Sequence, residues 1–277
     1  MTLPKVLGCD FTSRPSRRKP ICCAWGVLDA GCVRITALER CETMAQFATV
    51  LAQPHWTGGF DMPFGLPREL LTALDWPLDW LPAMLHYTRL PREVIRSTFK
   101  QFCDARPVGG KFAHRATDTP AHSSPSMKWV NPPVAYMLHA GVPALIASGA
   151  TLAGVHAGDA QRVALEAYPA YAARAVIGSA PYKSDDTAKQ TPARAQARAR
   201  LIAGIVQAAH PHLGLRVQAS AAILDAMQDD ASGDTLDAVL CALQAAWSLG
   251  KPNHGLPVEM DTLEGWIVSV PYDATAQ

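Results

Sequence analysis

The sequence predicts an α/β fold: a mixed sheet of five strands, the first three antiparallel, flanked by helices and followed after the fourth strand by a mostly helical insertion. Three observations predict it. Apolar runs at 5–12, 21–28 and 32–38 succeed one another through short connections, as antiparallel neighbours do. A fourth run ends near Asp61 and a fifth occupies 163–168. Between these two, from Trp76 to about Gly154, strand signals give way to helix signals.

The first run, Val6-Leu7-Gly8-Cys9, does not alternate apolar with polar, so it reads as a strand buried on both faces. It ends on Asp10, where a charge costs free energy unless a basic side chain or a metal ion meets it. Thr12 to Pro20 is a loop carrying Arg14, Arg17, Arg18 and Lys19. In the third strand Val33, Ile35 and Ala37 alternate with Arg34 and Thr36. Thr43 and Gln46 fit a capping box, opening a helix with Met44, Phe47, Ala48 and Leu51 on one face. After Phe60-Asp61-Met62-Pro63 the turn leads into a helix with Pro67 at its first position.

In the insertion, Pro91 opens a helix, 106–125 is a polar loop, and Pro132-Pro133 opens a helix that Gly141 closes. Pro169 then opens a short helix, and Thr191-Pro192 a long one with Arg194, Arg198 and Arg200 near its start. A shorter helix follows around 222–227. Ser232-Gly233-Asp234 begins a strongly apolar helix, and 265–271 reads as a late edge strand or extended segment. No repeat or interdomain linker is visible, so 1–277 reads as one domain with an insertion at about 76–154.

Composition narrows the function classes. Twenty-five basic against 24 acidic residues give a net charge of +1, so any affinity for nucleic acid must come from a local patch. Seven Cys, an odd number with no C-x-x-C pair, predict a reducing cytoplasm and no zinc site. The first residues lack the apolar region of a signal peptide, and no apolar run approaches the roughly 18 residues of a membrane span. A G-x-x-x-x-G-K-[ST] phosphate loop and a G-x-S-x-G elbow are both absent from the sequence.

Acidic residues at the edges of apolar elements carry the chemistry. They are Asp10, Asp61, Glu166 and the pair Asp234/Asp237, whose spacing puts both side chains on one helix face. Converging carboxylates repel unless a cation joins them, and an all-oxygen set suits Mg²⁺ or Mn²⁺. Two such ions form a phosphodiester-cleaving site. Each acid also has a structural reading. Asp10 can pair with an Arg, Asp61 can form a turn, and Asp234 fits a helix cap, which explains Asp237 less well. Glu166 can pair with an Arg from the insertion.

The ordered set resembles a known pattern. Three antiparallel strands with an Asp in the first, a helix, a fourth strand with a second acid, and a late helix carrying D-x-x-D resemble a ribonuclease H-like fold, with a spacing similar to that of Holliday-junction resolvases. More specifically, the chain resembles the DUF-429 family, described as predicted nucleases with this fold. The resemblance rests on Gly8-x-Asp10, Phe60-Asp61-x-Pro63-x-Gly65-Leu66-Pro67, Arg115-x-Thr117-Asp118 and Glu166-Ala167-Tyr168-Pro169. It continues in Tyr182-Lys183, Asp234-x-x-Asp237-Ala238 and Glu264-Gly265-Trp266-Ile267. It implies a two-metal-ion nuclease, with Asp10, Asp61 and Asp237 as metal ligands and Glu166 or Asp234 assisting. The second acid is Asp where resolvases tend to carry Glu, so its reach is shorter.

Basic residues supply the expected contacts to DNA or RNA: Arg17 and Arg18 beside Asp10, Arg115 with Asp118 in the insertion loop, and Arg194 and Arg198. Lys183 is positioned in sequence to neutralise a scissile phosphate. Arg194 and Arg198 sit where the helix dipole disfavours cations, which an anionic partner or salt bridges to Asp185 and Asp186 would explain. Two other functions fit the same fold: a non-catalytic binding module whose acids are caps and ion pairs, and an actin-like phosphotransferase. One core without a Gly-rich phosphate loop counts against the latter.

Overall fold

The chain, here a computed structural model, is described over residues 2–272; Met1 and residues 273–277 lie outside the described residues. Three strands open the fold: β1 (Lys5–Asp10), β2 (Ile21–Asp29) and β3 (Cys32–Cys41), paired antiparallel in sequence order. Helix α1 (Met44–Leu51) follows, capped by Thr43, whose hydroxyl accepts the Gln46 N–H at 3.2 Å while the Gln46 side chain accepts the Thr43 N–H. Strand β4 (Trp56–Phe60) then enters parallel to β1.

Five helices come next: α2 (Arg68–Ala73), α3 (Trp80–Arg89), α4 (Arg92–Asp104), α5 (Asp118–Ala121) and α6 (Val134–Ser148). The remaining order is β5 (Ala150–Leu152), β6 (Asp159–Glu166), α7 (Pro169–Ile177), α8 (Pro192–Gln207), β7 (Arg216–Gln218), α9 (Ala221–Asp229) and α10 (Asp234–Ser248).

The sheet has seven strands in the order β5-β6-β4-β1-β2-β3-β7 rather than the five expected. The two additional strands, β5 and β7, lie at its edges and have three residues each, too few to carry a periodic signal. The segment 265–271 is irregular instead of a strand; Val268 N–H donates to the Glu166 carbonyl at 2.8 Å just beyond β6.

Gly141 lies inside α6 instead of ending it. A Cβ there would stand 2.0 Å from Met62 Sδ, so this glycine serves a close helix-to-loop contact, and Gly149 at φ 73° ends the helix instead. Pro67 and Pro91 each sit one residue before their helices, as caps.

Two apolar layers cover the sheet. One joins Leu7, Cys9, Phe47 and Phe60 to the insertion helices through Met84, Phe99 and Leu138. The other joins Val6, Ala24 and Val33 to the late helices through Leu201, Leu236 and Leu240. Helix α10 is the centre of the second layer: all of its 15 residues except Trp247 are buried. It approaches the sheet closely because β1 and β4 each offer a glycine. A Cβ on Gly8 would stand 1.8 Å from the Ala238 carbonyl oxygen, and one on Gly59 2.3 Å from that of Cys241. Among the described residues no helix is long and apolar enough to cross a membrane.

Candidate metal centre

The same two strands that hold the glycines present the acids. Cys9 and Phe60 are paired in the parallel β1–β4 ladder, so the next residues, Asp10 and Asp61, leave the sheet side by side. The Asp61 N–H extends the ladder by donating to the Cys9 carbonyl at 2.9 Å. Each acid lies two positions beyond its glycine, so the close seating of α10 at Gly8 and Gly59 brings the first turn of that helix down beside them. Asp237 projects from that turn. One carboxylate oxygen from each of Asp10, Asp61 and Asp237 lies within 4.8 Å of the other two.

Electrostatics at this point are unfavourable without a cation. Asp10 and Asp237 are buried and Asp61 is half-buried. Burial pushes the Asp10 carboxyl well above its ordinary value; Lys183 opposes the shift, and Asp234, Asp237 and Asp61 add to it. Asp61 is raised to about 7, again by burial first, with Lys183 opposing and Asp237 and Glu166 adding. Among the described residues neither Asp10 nor Asp61 has a hydrogen-bond donor on its carboxylate.

Asp237 differs. Tyr182 Oη donates to its Oδ1 at 2.5 Å, and Lys183 Nζ contacts its Oδ2. Burial alone would lower the Lys183 pKa, but Asp237, Tyr182, Asp10 and Asp61 outweigh it and raise the ammonium above its usual range. A single ammonium therefore faces three converging carboxylates.

Glu166, at the end of β6, lies on the next strand over but belongs to another cluster. Its Oε1 accepts from Arg115 Nη2 at 2.6 Å, and its Oε2 from Arg115 Nη1 at 2.7 Å and the Phe64 N–H at 2.9 Å. Asp118 takes the remaining face of Arg115, with Nη2 to Oδ1 at 2.9 Å. Arg115 and Asp118 are buried and form an ion cluster with Glu166, in which Arg115 and Glu166 also line the cleft that opens from Asp61. That cluster fixes the turn after Asp61, since Glu166 holds the Phe64 N–H and Trp80 Nε1 donates to the Phe64 carbonyl at 2.7 Å.

The other expected residues surround the centre without joining it. Asp234 is held by Lys19 Nζ at 2.8 Å, which also meets Asp185 at 2.5 Å. Asp234 does not cap its helix; Gly233 at φ 79° occupies that position, and Asp230 Oδ2 accepts the Thr235 N–H at 2.8 Å. Arg17 and Arg18 are exposed on the loop that carries Lys19. Arg198 is buried and donates to the Tyr182 carbonyl at 2.8 Å and the Gln228 carbonyl at 2.9 Å, and Arg194 donates to the Lys183 carbonyl. Their place at the start of α8 is thus explained by the segment they hold, the one bearing Tyr182 and Lys183. Asp185 and Asp186 pair with Lys19 and Lys189 instead.

Tyr182, Lys19 and Asp230 carry roles that sequence reasoning assigned to none of them. Tyr182 had one signal, its place beside Lys183 in the Tyr182-Lys183 pair; the roles of Lys19 and Asp230 arise from contacts to α10 that no local pattern encodes.

A cleft of about 370 Å³ opens from Asp61 and Lys183, walled by Met62, Met137, Tyr168 and Ile267. The molecule is thus an α/β protein with a mixed sheet whose parallel strands β1 and β4 end in an acidic cluster completed by a buried helix. The chain belongs to the DUF429 family, described as a protein of unknown function, whose model matches residues 8–259. No curated protein and no solved structure matches the chain.

Proposed function

We propose that this chain is a nuclease dependent on Mg²⁺ or Mn²⁺, built on a ribonuclease H-like core and hydrolysing phosphodiester bonds of DNA or RNA. The observation that carries the reading is the convergence of Asp10, Asp61 and Asp237 within 4.8 Å. The donor set fits a hard divalent cation: it is all oxygen, largely buried, and two of the three acids have no hydrogen-bond donor among the described residues. Held by these oxygens, such a cation supplies Lewis-acid activation of water and of the phosphoryl group.

The chain's own residues do the rest. Asp10 and Asp61 are fixed by adjacent parallel strands and Asp237 by the first turn of α10, so the oxygens are arranged before any ion arrives. Tyr182 orients Asp237 through its hydroxyl. Lys183, on the wall of the cleft, balances Asp237 and is the ammonium nearest to a phosphate brought to the acids. Three carboxylates suffice for one ion; a second would draw on Asp234, which Lys19 holds close by. Support for the ribonuclease H-like core comes from the order of parts: an antiparallel β1-β2-β3, a helix, β4 parallel to β1 with the second acid, and a late helix with the third.

The binding-module reading loses ground because, among the described residues, Asp10 and Asp61 neither cap a helix nor form an ion pair, whereas Glu166, Asp234 and Asp237 pair with Arg115, Lys19 and Lys183. The test is incubation of labelled single-stranded, duplex and branched DNA and RNA with Mn²⁺. Cleavage of at least one substrate, lost in Asp10→Asn, is expected. Absence of cleavage from every substrate at high protein concentration overturns the proposal.

A further inference from the structure

The cleft beside the metal centre is built unlike a track for duplex. Its walls are mostly apolar, formed by Met62, Pro63, Val134, Met137, Tyr168 and Ile267, and its two cations are already engaged: Arg115 by Glu166 and Asp118, Lys183 by Asp237. Its volume of about 370 Å³ lies near the lower end of small-molecule sites, which span roughly 300–1,000 Å³. A base with its sugar is of that class; a base pair within a stacked duplex is not.

The cations tell the same story. A duplex is gripped through many phosphates by a basic surface. Here Arg115 and Arg198 are buried on protein acceptors and Arg194 is spent on the Lys183 carbonyl. Exposed on the loop that runs from Asp10 to Lys19 are Arg14, Arg17 and Arg18, enough for a short run of phosphates. The Tyr168 ring has the Arg174 guanidinium 5.4 Å from its centroid, a pairing that suits stacking of a further flat group. Ser124 lines the same wall with a hydroxyl that makes no hydrogen bond among the described residues.

We propose that this cleft takes one unpaired nucleobase of a single-stranded nucleic acid, with the adjoining phosphodiester at Asp61 and Lys183 and the following phosphates toward Arg14, Arg17 and Arg18. The proposal rests on the nuclease reading and narrows its substrate to single strands or frayed ends. Apolar walls and a stacking ring accept any base, so the recognition is tolerant of sequence.

The experiment measures fluorescence anisotropy of a short fluorescein-labelled oligonucleotide, as a single strand and as its blunt duplex, with the full chain and Ca²⁺. The single strand is expected to bind at least about tenfold tighter than the duplex. Met137→Trp, which fills the cleft, is expected to reduce single-strand binding by a similar factor, and Ala170→Phe does the same from another wall should the first variant fail to fold. Melting curves report folding for both. Equal or tighter binding of the duplex overturns the proposal, as does single-strand binding unchanged in a folded cleft variant. Hydrolysis of bis(p-nitrophenyl) phosphate by the parent chain with Mn²⁺ reports on the nuclease reading separately, because that diester carries no base.

Discussion

Two acidic clusters lie at the same end of the parallel strands β1, β4 and β6, and they are built in opposite ways. In the first, Glu166 and Asp118 enclose Arg115, and all four of their carboxylate oxygens accept a hydrogen bond. In the second, Asp10, Asp61 and Asp237 face one another with Lys183 at Asp237, and among the described residues Asp10 and Asp61 have no donor. A buried charge that the chain itself satisfies is part of the fold. A buried group of like charges that the chain leaves unsatisfied is destabilising, and it persists where a ligand completes it. The contrast assigns the first cluster to holding the turn at Phe64 and the second to function.

Mutations break this comparison by sign. Removing Arg115 as Arg115→Ala strands Glu166 and Asp118 in the interior and is expected to destabilise the chain by about 3–5 kcal/mol, read by denaturant unfolding. Gly8→Ala is expected to cost about 3 kcal/mol or more, because the added methyl would overlap the backbone of α10 at Ala238 and separate Asp237 from the strands. Lys183→Met removes the one ammonium at the acids and should lower metal-free stability by roughly 1–3 kcal/mol while enlarging the stabilisation by Mn²⁺, both seen in melting temperature. Asp61→Asn has the opposite sign: it relieves like-charge repulsion and should raise metal-free stability by about 1 kcal/mol.

A pH series sharpens the same point. The folded Asp61 carboxyl titrates at about 7 against an ordinary value of 3.8, so the folded chain binds more protons than the unfolded chain between these values. By linkage, its contribution to metal-free stability is complete below pH 3.8 and is lost as pH rises toward 7. Unfolding measured across that window should show this decline in the parent chain and a shallower one in Asp61→Asn. A parallel decline in both would detach the effect from Asp61.

The sequence was informative where local chemistry decides. The antiparallel start, the capping box at Thr43 and Gln46, and the acid that ends β1 all follow from neighbours within a few residues. The candidate site was only half legible. Asp10 and Glu166 have the same local context, an apolar strand ending in a carboxylate, and what separates them is Arg115, 51 residues before Glu166. Pairing of Glu166 with an Arg of the insertion stood among the expected alternatives, yet nothing local could choose it. Arg194 and Arg198 looked like phosphate contacts because their carbonyl partners, on Tyr182 and Lys183, meet them only when α8 packs. Strands β5 and β7 escaped notice because three residues bounded by turns have no period, and their pairing is set by the strands beside them.

The central claim is that Asp10, Asp61 and Asp237 together hold a divalent cation. Isothermal titration of the metal-free chain with Mn²⁺ tests it most directly, run beside the double variant Asp10→Asn/Asp237→Asn. The account predicts saturable binding in the parent chain that the double variant abolishes, with the variant still folded. Binding of equal affinity in both, or none in the parent, would contradict it.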